Sequence, residues 1–510
     1  MKPHNEVVVF LQSLYKDSAL LMPEWVLCIT FLGLFVADLW FKKQRIWLLW
    51  SLFAGGLVAT MIVTILQFNS CSCQFEQFFF AKMLYLDTFG VFFKLFLVGA
   101  TLLTAFLIPL SPTFRAKENF FRGEYFYLIV AVLIGAYLVA MAQHLLMFYL
   151  ALELISIASY LLVGFNFDKK SAEGSLKYIL FGAFSSAMML YGMSLLYGLT
   201  GTLQVGEPQW ITTIFKTPTL LHYLALSFFA AGILFKLAAF PFHFWTPDIY
   251  ESAPSPVVAF FSVVPKAAVL AFVFRWASWF PSGQLEWVYA VGFIAVATML
   301  VGNLAAFWQD NIKRLLAYSS IGQAGFLLAM VLVGKDFNLS SLLFYLISYS
   351  IANFLAFALV DIFAHFFGQQ NEMPYAIENY KGIGTVKGLE SVAFLLAMLS
   401  LAGIPPLVGF SAKLLLYSTL WENYHLLASQ WILWILFLSV FLSLVALFYY
   451  LKVPYQTFFL PNTSAIPLER PSTFYDVYAK VLVLILSLAL LVLFFAPNII
   501  MAAIQQIKLG

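Results

Sequence analysis

Apolar runs of about 20 residues, the length needed to cross a bilayer, follow one another along the chain with short polar links between them. By that measure about fourteen spanning segments are predicted, near residues 19–41, 46–67, 85–108, 125–141, 144–165, 172–199, 220–246, 255–278, 286–308, 312–333, 338–365, 389–420, 427–451 and 477–500. The longest links fall near 68–84, 109–124, 200–219, 366–388 and 452–476, and none is long enough for a folded domain. The prediction is an all-α, polytopic membrane protein. Any nucleotide or redox chemistry associated with it is expected in another chain.

Two segments break this pattern in the same way. The seventh carries Lys236 and then Pro241, and the twelfth carries Pro405 and Pro406 and then Lys413. A charge at membrane depth costs roughly 2.5–3.5 kcal/mol on insertion scales, and a mid-helix proline removes a backbone hydrogen bond. Irregular backbone survives there only when it is buried in protein or lines a wet cavity. Broken helices 7 and 12 are therefore expected to border an internal polar pathway. They lie five segments apart, and an odd offset inserts the second copy upside down. Paired discontinuous helices in inverted repeats are a plan used by transporters, with the ion site near the midplane. The expected division is N-terminal helices 1–3 in 1–124, a first repeat of helices 4–8 in 125–278, an inverted second repeat of helices 9–13 in 285–452, and helix 14 in 453–510.

Composition sharpens the class. The 510 residues are 63% hydrophobic and 10% charged, against about 25% charged for soluble domains, and the net charge of +3 gives no reason to expect nucleic acid. No cleavable signal peptide is read in the polar first residues. One set of loops holds about twice as many Lys and Arg as the other, which places that set in the cytoplasm and both termini outside. Of the three cysteines, Cys28 reads as a packing residue, and Cys71 and Cys73 fall in an outer loop. A bridge across one residue is strained, and iron–sulfur ligation takes about four thiolates, so no metal is expected.

The candidate chemistry rests on charges inside apolar segments. Glu153 is mid-segment, with Tyr149, Ser156 and Tyr160 on its helical face. A lone buried carboxylate is unfavourable, and Lys236 is its expected partner. At about 5 Å and an effective dielectric near 20, such a pair attracts by roughly 3 kcal/mol. Lys266 and Lys413 are too deep to snorkel easily and, with Lys177, are expected to extend a proton relay. Hydroxyls from Ser185, Ser186, Tyr318, Ser319, Ser320, Tyr345, Tyr349 and Ser443 would connect them through water. Lys177 lies near a segment end, where snorkelling is the competing reading. Lys94 has Asp87 seven residues before it as a structural partner. Asp361 and His365, four residues apart, either admit protons from the cytoplasm or form an interfacial pair. His243, Asp248 and Glu251 cluster at the inner end of broken helix 7, where capping is the alternative. No HExxH, Walker or GxSxG motif stands in a usable context, and Gly382-Ile-Gly384 lacks the preceding strand of a dinucleotide fingerprint.

Four stretches are familiar together. They are Leu152-Glu153-Leu-Ile-Ser-Ile-Ala-Ser-Tyr160, Glu173-Gly-Ser-Leu-Lys177-Tyr-Ile-Leu-Phe, Phe235-Lys236 followed by Pro241-Phe-His-Phe-Trp-Thr-Pro-Asp248, and Lys313-Arg-Leu-Leu-Ala-Tyr-Ser-Ser320. In these the chain resembles the antiporter-like subunits of respiratory complex I, over nearly its whole length. The resemblance implies that Glu153 is the fifth-helix glutamate paired with Lys236, that Lys266 is the central relay lysine, and that Lys413 is nearest the outlet. It also implies a proton-translocating subunit of an NADH:quinone oxidoreductase, in a bacterial inner membrane. No cofactor would be bound by this chain. NADH, FMN, iron–sulfur clusters and quinone would be held by partner subunits. The expected partners are M-type and L-type antiporter-like subunits, the small subunits joining the peripheral arm, and membrane lipid. The resemblance sets Lys413 where the M-type carries a glutamate, and a lateral-helix extension like that of the L-type is not expected. The subunits of multisubunit sodium/proton antiporters share the same core and are the alternative.

Overall fold

The computed structural model describes residues 17–40, 46–74, 77–112, 114, 123–205, 210, 212–213, 220–279, 285–332, 336–367, 373–461 and 474–507. Helices dominate: α1 (Met22–Trp40), α2 (Ile46–Gln74), α3 (Thr88–Leu107), α4 (Glu124–Met141), α5 (Leu145–Val163), α6 (Lys169–Thr200), α7 (Leu220–Leu237), α8 (Trp245–Ser252), α9 (Ser255–Ser278), α10 (Leu285–Phe307), α11 (Ile312–Met330), α12 (Asp336–Phe367), α13 (Gly388–Ala402), α14 (Val408–Leu427), α15 (Gln430–Phe459), α16 (Phe474–Phe495) and α17 (Asn498–Ile504). Every predicted segment coincides with a helix or a pair of helices. Twelve helices among the described residues are long and apolar enough to cross a membrane, rather than the fourteen expected. The shortfall comes from α11, which is diluted by Lys313, Arg314 and Gln323, and from the twelfth segment, whose break leaves α13 with 15 residues. The chain is a multi-pass membrane protein.

Local chemistry sets the helix starts. Asp87 caps α3 by accepting from the Gly90 amide at 2.8 Å. Asp168 opens α6 with a reciprocal capping box to Ser171, and Asn311 caps α11 through the Lys313 amide at 2.9 Å. Such caps satisfy amides that a helix start leaves without a partner. The link after α2 is not wholly irregular. Gln77–Phe79 pairs antiparallel with Leu84–Leu86, with Gln77 opposite Leu86. Helix α2 also runs further than expected and takes in Cys71 and Cys73, whose side chains lie outside the described residues.

Helix α9 is the centre of the bundle and packs against α3, α4, α12 and α7. All of its central window is buried. Helices α10 and α11 pack together, as do α6 and α7, and α4 and α5. Around this core, α1, α2, α6 and α15 bury only narrow stripes and turn Trp25, Leu39, Phe184, Tyr191, Phe441 and Phe448 outward, as expected where the solvent is lipid.

Both predicted breaks are present. Helix α7 ends at Leu237, Ala238 takes a left-handed φ of 57°, and the chain crosses Pro241 before α8. Helix α13 ends at Ala402, Gly403 takes a φ of 83°, and Pro405 and Pro406 precede α14. Gly403 suits that position because it has no Cβ to oppose the left-handed turn.

Candidate functional site

Five lysines among the described residues have almost no exposed surface, and three of them, Lys236 at 5%, Lys266 at 3% and Lys413 at 4%, lie at a helix break or at mid-helix. Each comes from a different local design. Lys236 is the penultimate residue of α7, beside the first break. Lys266 follows Pro265 in the middle of α9. Lys413 is in the second turn of α14, just beyond the second break.

The breaks expose backbone groups that side chains then satisfy. At the first, the Phe235 carbonyl accepts from the Trp245 indole at 3.0 Å, and the Phe240 amide donates to Thr298 of α10 at 3.0 Å. At the second, the Ala402 carbonyl accepts from Lys413 itself at 2.6 Å. The ammonium thus sits at the carboxyl end of a helix stub, where cations are favoured.

A polar line joins the second and third lysines. Lys266 donates to the Ser320 hydroxyl at 2.6 Å and to the Ser320 carbonyl at 3.1 Å. One residue along α11, Ser319 shares a 2.5 Å hydrogen bond with Tyr450. Gln323, one turn further, receives Tyr345 at 2.6 Å and donates to Tyr450 and to the Leu401 carbonyl, each at 3.2 Å. Leu401 immediately precedes Ala402, where Lys413 is docked. Beside Lys266, Asn353 donates to Ser262 at 2.6 Å. Tyr250 of α8 is also buried, and its hydroxyl has no hydrogen-bond partner. Of the hydroxyls expected to connect the lysines, Ser319, Ser320, Tyr345 and Tyr349 lie on or beside this line. Ser443 pairs with Tyr417 at 2.9 Å, and Ser185 bonds back to its own helix. Gln323, Tyr450 and Asn353 were not among the expected residues. An amide inside an apolar segment was the available signal.

Glu153 and Lys236 are not hydrogen-bonded to each other. They form no direct ion pair: the Lys236 ammonium has no hydrogen-bond acceptor, and Glu153 Oε1 is buried without a donor. Glu153 is the anion whose field reaches Lys236. The ammonium instead lies over aromatic rings, 5.3 Å from the centroid of Tyr178, 5.5 Å from Tyr160 and 5.6 Å from Phe235.

Lys177 is not in the interior. Its side chain is 41% exposed and bridges Glu173 at 2.8 Å and Asp248 at 3.1 Å. This is the first link of a charge network that ties α6, α8 and α11 together. Asp248 meets Arg314 at 2.8 Å, Arg314 meets Glu251 at 3.0 Å, and Glu251 meets Lys170 at 2.6 Å. Partial burial pushes the Asp248 carboxyl up, but hydrogen bonds and charge from Arg314 and Lys177 outweigh it and hold the group below its ordinary range. Glu251 is held down in the same way by Lys170 and Arg314. His243 does not join them. It is buried, lies parallel to Phe240, and its Nδ1 has no hydrogen-bond partner.

Asp361 and His365 do not pair. Neither Asp361 oxygen has a hydrogen-bond partner, and the carboxylate is buried. His365 lies edge-on to Tyr475. The charge that acts on Asp361 is Lys313, which is itself buried, donates to the Ala253 carbonyl at 2.6 Å and lies over Tyr375.

Lys94 does not pair with Asp87. It meets Glu24 of α1 at 2.6 Å, while Asp87 takes both ends of the Arg275 guanidinium at 2.8 and 3.0 Å. Glu24 was missed because it stands at the first turn of an apolar segment. Lys313 and Arg275 were missed because they stand at segment ends, where they read as loop charges.

The residues 142–444 match the family described as "NADH:quinone oxidoreductase/Mrp antiporter, TM". The chain is 35% identical over 493 residues to NADH-quinone oxidoreductase subunit N of Trichlorobacter lovleyi, covering 95% of this chain and 96% of that one. Its fold matches a chain in respiratory complex I of Thermus thermophilus with a TM-score of 0.77 and 30% identity, over 96% of this chain and all of the other. It also matches the fold of a chain in the Mrp complex of Dietzia, at a TM-score of 0.77 and 20% identity, over 96% of each. This chain belongs to the NADH:quinone oxidoreductase/Mrp antiporter membrane family, among the antiporter-like subunits of respiratory complex I, and is most like subunit N.

Proposed function

We propose that this chain is the subunit N of a proton-translocating NADH–quinone oxidoreductase and carries protons across the membrane through Lys236, Lys266 and Lys413. The observation that supports this reading is the row of buried polar groups between Lys266 and Lys413: Lys266 is bonded to Ser320, its neighbour Ser319 to Tyr450, Tyr450 to Gln323 and Gln323 to the Leu401 carbonyl, next to the Ala402 carbonyl that holds Lys413. Water ordered between these fixed groups would carry protons from one lysine to the next without moving helices. NADH, FMN, iron–sulfur clusters and quinone act in partner subunits, and M-type and L-type subunits and the small connecting subunits complete the arm.

In this scheme the inverted halves are 125–278 and 285–452. The chain lies in a bacterial inner membrane with both termini outside. Asp361 with Lys313 admits protons from the cytoplasm, Glu153 governs Lys236, and Lys413 is nearest the outlet. Lys177 acts as an electrostatic brace for α8 rather than as a carrier. Moving one charge against about 100 mV requires roughly 2.3 kcal/mol, which is comparable to the roughly 3 kcal/mol of a Glu153–Lys236 encounter.

The test is Lys266→Ala in the assembled complex reconstituted into vesicles. Proton uptake per NADH oxidised is expected to fall by at least roughly tenfold, the equivalent of about 1.4 kcal/mol. Full coupling in this variant would leave the lysines structural. Transport that requires sodium would place the chain with the sodium/proton antiporters instead.

A further inference from the structure

Lys236 is the exception among the three interior lysines. Lys266 donates to Ser320 and Lys413 to Ala402, but Lys236 has no acceptor at all. A buried ammonium without a partner is costly, so something other than a hydrogen bond must hold it.

What surrounds it is ring surface from three helices. Tyr160 comes from α5, Tyr178 from α6 and Phe235 from α7, all with centroids 5.3 to 5.6 Å from the nitrogen. That is within the roughly 6 Å at which a cation is attracted by a ring face. The rings are themselves fixed. Tyr178 stacks on Trp245 at 4.7 Å and 16°, and Tyr160 meets Tyr178 edge-on at 4.7 Å and 81°. The Trp245 indole is anchored on the Phe235 carbonyl at 3.0 Å. Gly182 leaves the space that the Tyr160 hydroxyl occupies, and a Cβ there would collide with it.

We propose that Tyr160, Tyr178 and Phe235 form an aromatic cage that holds the protonated Lys236 away from Glu153, with Trp245 as the residue that positions the cage. The inference rests on the reading of Lys236 as a proton carrier. The ammonium then has two alternative homes, the cage and the Glu153 carboxylate, and each stroke moves it between them. Because Trp245 opens α8 just past the break, a shift of the break loosens the Phe235 anchor and the Tyr178 stack together. The cage is thereby tied to the backbone element that changes shape. Lys413 lies over a single ring, Phe326 at 5.1 Å, and is held by the Ala402 carbonyl rather than by a cage.

The experiment replaces Tyr178 in the full complex with phenylalanine and then with mono-, di- and trifluorinated phenylalanine. Fluorine withdraws charge from the ring face and barely alters its shape, so packing is held constant. Proton uptake per NADH oxidised, taken relative to the phenylalanine variant, is expected to decline with each fluorine, reaching roughly a tenfold loss across the series. Trp245→Phe, which keeps a ring but loses the indole donor, is expected to lower pumping while complex assembly on native gels is unchanged. A flat fluorine series in a complex where Lys236→Ala abolishes pumping would overturn the cage and leave the carrier reading intact. Normal pumping by Lys236→Ala would overturn both.

Discussion

Lys413 donates a 2.6 Å hydrogen bond to the carbonyl of Ala402, the last residue of the helix stub that its own segment breaks to form. On the proposed pathway the proton carrier and the cap of the broken helix would be the same ammonium. When that nitrogen gives up its proton it remains a donor, but without the charge that favours the carboxyl end of a helix.

Lys413→Ala is therefore expected to do two things. It leaves the Ala402 carbonyl without its side-chain donor, at about 1–3 kcal/mol, and it removes the last interior amine. Pumping in reconstituted vesicles should be lost. The thermal midpoint of the purified complex should also fall, whereas Lys413→Arg should recover the midpoint better than the pumping. An unchanged midpoint in the alanine variant would contradict the capping role.

Gln323→Leu cuts the polar line where it meets the second break. The side chain keeps roughly its volume, but Tyr345, Tyr450 and the Leu401 carbonyl each lose a partner. A loss of about 1–3 kcal/mol is expected, with at least roughly tenfold slower proton uptake per NADH oxidised. Normal uptake in an assembled complex would show that protons bypass α11.

The Glu24–Lys94 pair predicts a non-additive result. The two side chains are almost fully buried and 2.6 Å apart, and breaking a buried pair on one side typically costs about 3–5 kcal/mol. Lys94→Met alone should be strongly destabilising, as should Glu24→Leu. The double replacement should recover most of the loss, because no charge is then left stranded. Thermal unfolding of the four proteins closes the cycle, and simple additivity would mean the pair is not coupled.

Asp248 and Glu251 predict an acid limit. Both carboxyls are held below their ordinary range by cations. A lowered folded-state value contributes stability that is present above the unfolded carboxylate range, about 3.9 to 4.3, and lost as pH falls through the folded value. The stability gap between the natural chain and the Asp248→Asn, Glu251→Gln double variant should hold steady from neutral pH down to about 5. It should then close below about 4. Partial exposure means that added salt should narrow it as well. A gap that widens in acid would reverse the assigned sign.

Segment positions and both breaks were legible because they depend on local composition: a proline beside a lysine in an apolar run is a signal within one stretch. Lys236, Lys266 and Lys413 were legible for the same reason. Partnership was not, because it depends on which helices meet. Lys94 looked toward Asp87 seven residues away, yet α1 supplies Glu24, and Asp87 is claimed by Arg275, 188 residues further on. Lys177, near a segment end, read equally as a relay member and as a snorkelling lysine. Helix α6 buries only one stripe, and Lys177 lies at the edge of it. The rings around Lys236 were not legible either, because ring faces carry no charge in a sequence count and still attract an ammonium.

Helix α9 carries Lys266 at its middle and Arg275, bolted to Asp87, near its end, with its whole central length enclosed by neighbours. Such an element works as a fixed axle. A piston or rocking motion of α9 would tear open every surrounding interface at once, so whatever travels along the interior must pass by side-chain swings and hopping protons, while the shape changes are left to the two hinged segments, one beside α9 and one beyond α11 and α12.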